Sequence, residues 1–242
     1  MKKKAIIFDM DGTLWDSVDN IVDSWNLALR QMGETDVTIT RERIIGLMGK
    51  TMDQFAKALL PHYGPERGME VMHILEEVEN DYLRQHGAVL LGDAAKTFRG
   101  LRDLGFGIGI VSNCQSGYIE AFLEYYHLEA LVDDIECYGN TLRGKADNLK
   151  LLIERNGLEQ YWYLGDTQGD YDACREAEVP FVWAAYGFGE VSAACGSGDV
   201  SRDDGCRTSE YRSPAACGSG GVPAEIPRVD ALEEIVLWAR GV

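Results

Sequence analysis

Short apolar runs alternate with longer amphipathic patterns along most of this chain. The first run, Ala5-Ile6-Ile7-Phe8, leads directly into Asp9-Met10-Asp11-Gly12, and it predicts a buried strand that ends in an acidic turn. Residues 16–88 then carry helical patterns without convincing strand alternation. The helices predicted there run from Asp16 or Ser17 to about Gly33 and then over 40–48, 52–60 and 65–87. This block is too long for a simple crossover, so we expect an inserted all-helical domain.

After residue 88, apolar runs return at intervals between helical patterns. The predicted strands are 108–111, 135–138, 161–164 and 181–184. The predicted helices are 93–104, 116–125, 145–156 and 170–178, with an amphipathic closing helix over 229–238. Alternation of this kind predicts an α/β fold with a parallel sheet and helices on both of its faces.

The composition is that of a globular, soluble protein, with 45% hydrophobic and 26% charged residues in a chain of 242 residues. The formal net charge of −17 repels phosphate backbones, so nucleic acid and anionic membrane surfaces are not expected as partners. No apolar run approaches the roughly 20 residues that cross a membrane, and the first strand is too short for a signal-peptide core. We therefore expect a cytoplasmic protein whose six cysteines are reduced thiols.

Polar residues with useful chemistry follow the predicted strands. In a parallel sheet the ligand site lies beyond the carboxyl ends of the strands, so these positions are expected to converge. Asp9 and Asp11 follow the first strand and, because side chains alternate in extended backbone, both project to the same side. The other candidates are Ser112 and Asn113 after the strand at 108–111, Lys145 at a helix start, and Asp166 and Asp170 after the strand at 161–164.

Each of these groups suits a phosphorylated ligand. Ser112 and Asn113 can hold phosphoryl oxygens, and Lys145 can neutralise an oxyanion. The carboxylates of Asp166 and Asp170 suit Mg²⁺, which prefers oxygen ligands. Taken singly, a turn, a capped helix or a solvated lysine would explain each motif without any function. Their repetition at equivalent strand ends favours one common site.

These residues resemble the motifs of the haloacid dehalogenase-like phosphatases, in particular the phosphoglycolate phosphatase and β-phosphoglucomutase branch. The four matching motifs, within residues 5 to about 190, are Asp9-Met10-Asp11-Gly12-Thr13, Ser112-Asn113, Lys145, and Gly165-Asp166 through Asp170. The resemblance implies a Rossmann-like parallel-sheet core made of residues 1–15 and 89–242. A helical cap domain at 16–88 would be inserted into this core.

The resemblance also implies a mechanism through an aspartyl-phosphate. Asp9 would be the nucleophile, and Asp11 would protonate the leaving oxygen and then activate water. Two close carboxylates differ in proton affinity, and the one farther from a metal is the better candidate to carry a proton, which agrees with that role for Asp11. The implied magnesium ligands are Asp9, Asp11 through its backbone carbonyl, Asp166 and Asp170. The implied phosphate-binding residues are Ser112, Asn113 and Lys145, the last also a catalytic residue.

Three function classes remain open on the sequence alone. The first is a Mg²⁺-dependent phosphatase of small phosphomonoesters, similar to phosphoglycolate phosphatase, and Thr13 resembles the phosphatase version of the first motif. The second is a phosphosugar mutase of the β-phosphoglucomutase type. The third is a catalytically idle module that binds a phosphorylated metabolite, and the complete set of acidic and basic residues argues against it. The expected partner is a small phosphorylated metabolite, and the protein is expected to be a monomer or a homodimer.

One segment of the block at 16–88 bears on specificity. In the branch that the chain resembles, a cap loop facing the site selects the substrate, and the similar segment here runs from Ile45 to Thr51. Lys50 is its candidate contact to a second anionic group, such as a carboxylate. An exposed lysine without such a role is equally compatible with the sequence.

A second segment departs from the family pattern. Residues 192–224 form a Gly/Ser/Cys-rich insertion that contains Ala-Ala-Cys-Gly-Ser-Gly twice, at 193–198 and 215–220. A three-thiolate metal site at Cys195, Cys206 and Cys217 would have unusual spacing and no nearby histidine. We therefore expect a flexible insertion within the core.

Overall fold

The computed structural model describes residues 2–34, 36–192 and 226–242. Its strands are β1 (Lys4–Phe8), β2 (Trp15–Asp16), β3 (Val89–Leu90), β4 (Gly107–Ser112), β5 (Asp134–Cys137), β6 (Gln160–Gly165), β7 (Phe181–Ala184) and β8 (Arg228–Val229). Its helices are α1 (Val18–Gln31), α2 (Arg41–Ile45), α3 (Met52–Leu59), α4 (Pro65–His86), α5 (Ala94–Asp103), α6 (Tyr118–Tyr126), α7 (Tyr138–Thr141), α8 (Lys145–Asn156), α9 (Gln168–Ala177) and α10 (Glu234–Ala239). Within this described part, a parallel sheet has the strand order β5-β4-β1-β6-β7-β8.

The apolar run of β1 forms the centre of the sheet, between β4 and β6. Its side chains alternate between two apolar clusters. Ile6 and Phe8 pack on the side of α5, α6 and α10, whereas Ala5 and Ile7 pack on the side of α8 and α9. Burying an Ile or Phe side chain stabilises the fold by roughly 1.5–3 kcal/mol relative to leaving it exposed. This burial fixes β1, and with it the position of Asp9 directly after the strand.

Helices α1 to α4 pack around an apolar cluster of their own. Its largest side chain is Trp25 of α1, which meets Phe55 of α3 edge to face with ring centroids 5.9 Å apart. Leu29 of α1 and Met72 and Leu75 of α4 are also buried in this cluster. Apolar residues at helical spacing therefore give these helices a core of their own, against which Phe188 from the loop after β7 also packs.

The two connections between this helical block and the sheet run side by side. Trp15 of β2 pairs with Leu90 of β3 and Asp16 pairs with Val89, both in antiparallel register. The N–H of Leu91 also donates to the carbonyl of Leu14 over 3.1 Å. This two-stranded pair lies next to the predicted domain boundaries at 16 and 88.

Most predicted elements agree with the structure to within a few residues, but the ends of some differ. The helix predicted over 40–48 ends at Ile45, since Gly46 to Gly49 form turns in which Gly49 has a φ of +79°. The predicted closing helix at 229–238 was wrong at its start. Val229 pairs with Ala184 in the sheet, and the helix begins only at Glu234.

The predicted insertion at 192–224 lies outside the described residues, apart from Ser192. Of the six cysteines, Cys114, Cys137 and Cys174 are described, and all three are buried free thiols. None of the described helices combines the length and the apolar composition that a membrane crossing requires.

Candidate active site

The carboxyl ends of the sheet strands bring most of the predicted site residues together. One carboxylate oxygen from each of Asp9, Asp166 and Asp170 lies within 4.8 Å of the others. Lys145, the first residue of α8, places its Nζ 2.8 Å from Asp9 Oδ1 and also bonds to Asp170 Oδ1. Ser112 ends β4, and together with Asp9, Asp11 and Asn113 it lines a cleft beside this cluster.

Asp9 is held in place by the sheet and by Lys145. Its N–H donates to the carbonyl of Leu164 in β6 over 2.9 Å, which continues the ladder between the two strands. Burial raises the pKa of Asp9 to about 7, with the nearby Asp170 adding to the rise and Lys145 opposing it. The carboxyl is only 3% exposed, and it therefore depends on neighbouring positive charge to stay ionised.

Three glycines make room for Asp166. A Cβ at Gly12, whose φ is +80°, would lie 2.2 Å from Asp166 Oδ2, and a Cβ at Gly187 would lie 2.3 Å from Asp166 Cβ. The N–H groups of Phe188 and Gly189 donate to Oδ2 over 2.8 and 3.2 Å. A Cβ at Gly189 would likewise lie 2.8 Å from the Asp166 carbonyl oxygen, so the backbone can approach Asp166 this closely only because these three positions lack a side chain.

Asp170 is fixed by the start of α9. It forms a capping box with Thr167, whose backbone N–H and hydroxyl donate to Asp170 Oδ2 over 2.9 and 2.7 Å. Its other oxygen accepts from Lys145. Burial alone would lower the pKa of Lys145, but the charges of Asp170 and Asp9 outweigh it and raise that pKa. The ammonium group is therefore kept protonated between the two carboxylates.

Asp11 lies apart from the three-carboxylate cluster in the described structure. Its Oδ1 accepts hydrogen bonds from Ser17 Oγ at 2.7 Å and from Tyr118 OH at 2.6 Å. Burial raises the pKa of Asp11, and the two hydrogen bonds oppose this rise. Since both donors bond Oδ1, Oδ2 is the oxygen that can be protonated. The backbone carbonyl of Asp11 stays the group predicted to bind a metal.

The carboxylate cluster has the donor set that a magnesium ion requires. Burial, Asp170 and Asp9 together raise the pKa of Asp166 to about 8 against the opposing charge of Lys145, so three ionised carboxylates here require more positive charge than Lys145 supplies. Mg²⁺ prefers such oxygen ligands, and Asp9 and Asp166 are the best placed to hold it. Asp170 already bonds protein donors through both of its oxygens.

The predicted cap segment closes over this site. Gly49 lies against Thr167, which follows β6, and a Cβ at Gly49 would be 3.4 Å from Thr167 Oγ1. Asn113 Nδ2 donates to the Gly49 carbonyl over 2.8 Å, so this amide, predicted to bind phosphate, holds the cap loop in the structure. Lys50 is exposed and lines the cleft that contains Asp9 and Asp11. Helices α1 and α3 add Trp25 and Phe55 to its walls.

Three functional candidates escaped the sequence analysis. Asp16 or Ser17 was expected to start α1; Asp16 accepts from the Val18 N–H, whereas the Ser17 hydroxyl bonds Asp11. Tyr118 reaches Asp11 from a position 107 residues away. Glu79 of α4 lines the cleft and is 1% exposed. The sequence did contain a signal for Glu79, because it lies four residues after Leu75 and four before Leu83, on the buried face of a helix.

Comparison with known proteins decides the family. Residues 6–184 match the family model described as haloacid dehalogenase-like hydrolase. The chain belongs to this family. A phosphoglycolate phosphatase of Aliivibrio fischeri is 28% identical over 197 residues, which cover 76% of this chain and 85% of that protein.

Two solved structures have the same fold as this chain. A haloacid dehalogenase-like family hydrolase from Streptococcus pneumoniae gives a TM-score of 0.65 at 21% identity, over 78% of this chain and 88% of that one. CbbY from Rhodobacter sphaeroides, in complex with phosphate, gives a TM-score of 0.70 at 16% identity, over 97% and 96%. The resemblance, the α/β fold with its Rossmann-like sheet, and the assignment to the hydrolases are thereby confirmed.

Proposed function

We propose that this haloacid dehalogenase-like hydrolase is a Mg²⁺-dependent phosphatase of small phosphomonoesters that works through an aspartyl-phosphate on Asp9. The observation that carries the proposal is the 2.8 Å contact between Lys145 Nζ and Asp9 Oδ1, at the point where Asp166 and Asp170 also converge. The similarity to a phosphoglycolate phosphatase supports a small phosphomonoester as the substrate class.

Electrostatics explain why Asp9 needs these neighbours. A phosphomonoester dianion repels an approaching carboxylate, so attack requires positive groups that absorb the charge. Lys145 supplies one such group in direct contact with Asp9. Mg²⁺ held by Asp9, Asp166 and the backbone carbonyl of Asp11 would supply positive charge to the phosphoryl oxygens. Ser112, at the end of β4, offers its hydroxyl to the same phosphoryl group.

In the first half of the reaction, a carboxylate oxygen of Asp9 forms a bond to phosphorus as the bond to the ester oxygen breaks. Asp11 gives its proton to the departing alcohol oxygen. The burial that raises the pKa of Asp11 favours the protonated form that a general acid needs. Ser17 and Tyr118 orient this carboxyl by bonding one of its oxygens.

In the second half, Asp11 takes a proton from water as the water oxygen attacks phosphorus. The bond between phosphorus and Asp9 breaks, inorganic phosphate leaves, and both carboxyl groups return to their starting state. One residue therefore acts first as acid and then as base, which requires that it stay close to the reacting oxygen in both steps.

The proposal is tested by phosphate release from a panel of phosphorylated metabolites, with and without Mg²⁺. Asp9→Asn is nearly isosteric, and it should lower turnover at least about a thousandfold while the far-UV circular dichroism stays unchanged. Asp103→Asn, at an exposed position on α5, is the matched control and should retain full activity. Turnover in Asp9→Asn near the wild-type rate would exclude the aspartyl-phosphate.

A second experiment separates hydrolysis from group transfer to a sugar. A mutase returns the phosphoryl group to a sugar hydroxyl, so its product is an isomerised sugar phosphate instead of inorganic phosphate. With hexose 1-phosphate as substrate, we expect inorganic phosphate to account for essentially all product. Formation of the 6-phosphate much faster than phosphate release would favour the mutase.

A further inference from the structure

The helical cap contributes a buried carboxyl to the cleft that the proposed chemistry does not use. Glu79 of α4 is 1% exposed and lines the same cleft as Asp9 and Asp11. A buried carboxyl among apolar side chains is unfavourable unless hydrogen bonds or a ligand compensate it. Its place in the cleft therefore points to a role in binding the substrate.

Trp25 holds Glu79 in a fixed position. Trp25 Nε1 donates to Glu79 Oε2 over 2.7 Å. Trp25 is itself buried, with an exposed fraction of 1%. A side chain locked in this way is a preorganised contact, since its orientation entropy is already lost before a ligand arrives.

The surroundings of Glu79 make this contact selective. Ile21, Met52 and Phe55 line the same cleft from the cap and are apolar. Lys50 also lines it, but Lys50 is exposed whereas Glu79 is buried. In pockets of this kind, few polar groups among apolar walls determine which ligand binds.

Charge decides which substrate group suits Glu79. Glu79 lines the cleft beside Asp9 and Asp11, and a carboxylate on the substrate has no hydrogen to donate to it and would be repelled by it when Glu79 is ionised. A hydroxyl group carries no charge. It can donate to Glu79 when the carboxyl is ionised and accept from it when the carboxyl is protonated. A hydroxyl therefore matches Glu79 in both states.

We propose that Glu79 selects phosphomonoesters whose alcohol part carries a further hydroxyl group and discriminates against those whose alcohol part carries a carboxylate. The inference rests on the proposed phosphatase function and narrows its substrates to phosphates of polyols and sugars. Glu79 contacts the part of the substrate that leaves, and it takes no part in bond breaking.

Three esters with two-carbon alcohol parts test this specificity. 2-Hydroxyethyl phosphate, ethyl phosphate and 2-phosphoglycolate differ in the terminal group, which is a hydroxymethyl, a methyl or a carboxylate. In the wild type we expect kcat/KM for 2-hydroxyethyl phosphate to exceed both others by at least about tenfold, the effect of one hydrogen bond to a charged group.

Substitutions distinguish recognition from a purely structural role. Glu79→Leu should reduce the preference for 2-hydroxyethyl over ethyl phosphate to within about threefold, whereas Glu79→Gln, which still accepts from Trp25, should keep it. Glu77→Gln is the matched control, because Glu77 is exposed on the same helix and does not line the cleft. If Glu79→Leu lowers kcat/KM for all three esters by the same factor, Glu79 is structural and the proposal is overturned.

A binding measurement keeps this test independent of the proposed function. Calorimetric titration of Asp9→Asn with the three esters, with and without Glu79→Leu, requires no turnover. Failure of the wild type to hydrolyse p-nitrophenyl phosphate would overturn the phosphatase proposal but not the specificity proposal. Tighter binding of 2-hydroxyethyl phosphate that depends on Glu79 would still support the specificity. Equal binding of the hydroxyethyl and ethyl esters, or a preference for 2-phosphoglycolate, would overturn it.

Discussion

At the scale of single residues, Gly12 controls the position of Asp166. A methyl group on Gly12 would come 2.2 Å from Asp166 Oδ2, so Gly12→Ala should displace this carboxylate and lower kcat at least about a hundredfold. Gly33→Ala is a matched control, since Gly33 has a φ of +82° and no described atom within 4 Å of the added carbon. Both variants should lose roughly 1–2 kcal/mol of unfolding free energy from the left-handed backbone, as thermal unfolding would measure. A comparable loss of kcat in Gly33→Ala would contradict the argument.

Lys50 tests whether the cap loop contributes charge to substrate binding. The side chain is exposed, and an exposed ionic contact contributes at most about 1 kcal/mol. Lys50→Ala should therefore raise KM roughly three- to fivefold and change kcat less, in steady-state assays of phosphate release. Lys57→Ala, at an exposed position of α3, removes the same charge away from the cleft. An equal effect of the two substitutions would mean that only the net charge matters.

The acidic residues of the site could be predicted from the sequence. Asp9 directly follows an apolar strand, and ligand sites in parallel sheets lie beyond the carboxyl ends of the strands. Ser17 and Tyr118 could not be assigned in this way, because the bond from Tyr118 to Asp11 depends on how α6 packs against the turn after β1. The contact of Asn113 with Gly49 likewise depends on the closed position of the cap.

At the scale of elements, the bond from Asn113 to the Gly49 carbonyl joins the loop after β4 to the cap loop. Asn113→Ala should release that loop, because the carbonyl loses its donor across the cleft. We expect faster amide hydrogen exchange in the segment 46–51 and a KM raised about tenfold, the effect of one hydrogen bond. Asn140→Ala, at an exposed position on α7, should change neither quantity. Unchanged exchange in Asn113→Ala would show that other contacts hold the loop.

Elements with a continuous apolar run could be predicted, and elements defined by their partners could not. β1 and β4 are buried along nearly their whole length, so their residues alone reveal them. β2, β3 and β8 have two residues each, which is too short for any periodicity. They are strands only because Trp15 meets Leu90 and Val229 meets Ala184.

At the scale of the whole molecule, the buried carboxylates make stability depend on pH. The pKa of Asp9 is raised from 3.8 to about 7 and that of Asp166 from 3.8 to about 8. Between pH 3.8 and about 8 the folded state therefore binds more protons than the unfolded state, so the free energy of unfolding falls as the pH rises through this range. For protein treated with EDTA, we expect the stability that protonation of Asp9 and Asp166 contributes to be fully present below about pH 4 and lost by about pH 8.

Added Mg²⁺ should reverse this loss where the carboxylates are ionised. We expect saturating Mg²⁺ to raise Tm by about 5 °C or more at pH 8 and by much less at pH 5, measured by differential scanning fluorimetry. Asp166→Asn removes one predicted ligand, and it should abolish most of the difference between the two pH values. An equal shift at both pH values would mean that Mg²⁺ acts elsewhere on this acidic chain.

The central position of β1 affects how the chain folds during synthesis. β1 consists of residues 4–8, but its neighbours β4 and β6 begin only at residues 107 and 160. The helices that follow β1 directly have an apolar cluster of their own, and domains generally fold as units while the chain is still growing. The cap can therefore form on the ribosome while the strand that leads to Asp9 has no partner. This apolar strand would be a natural binding site for chaperones of nascent chains.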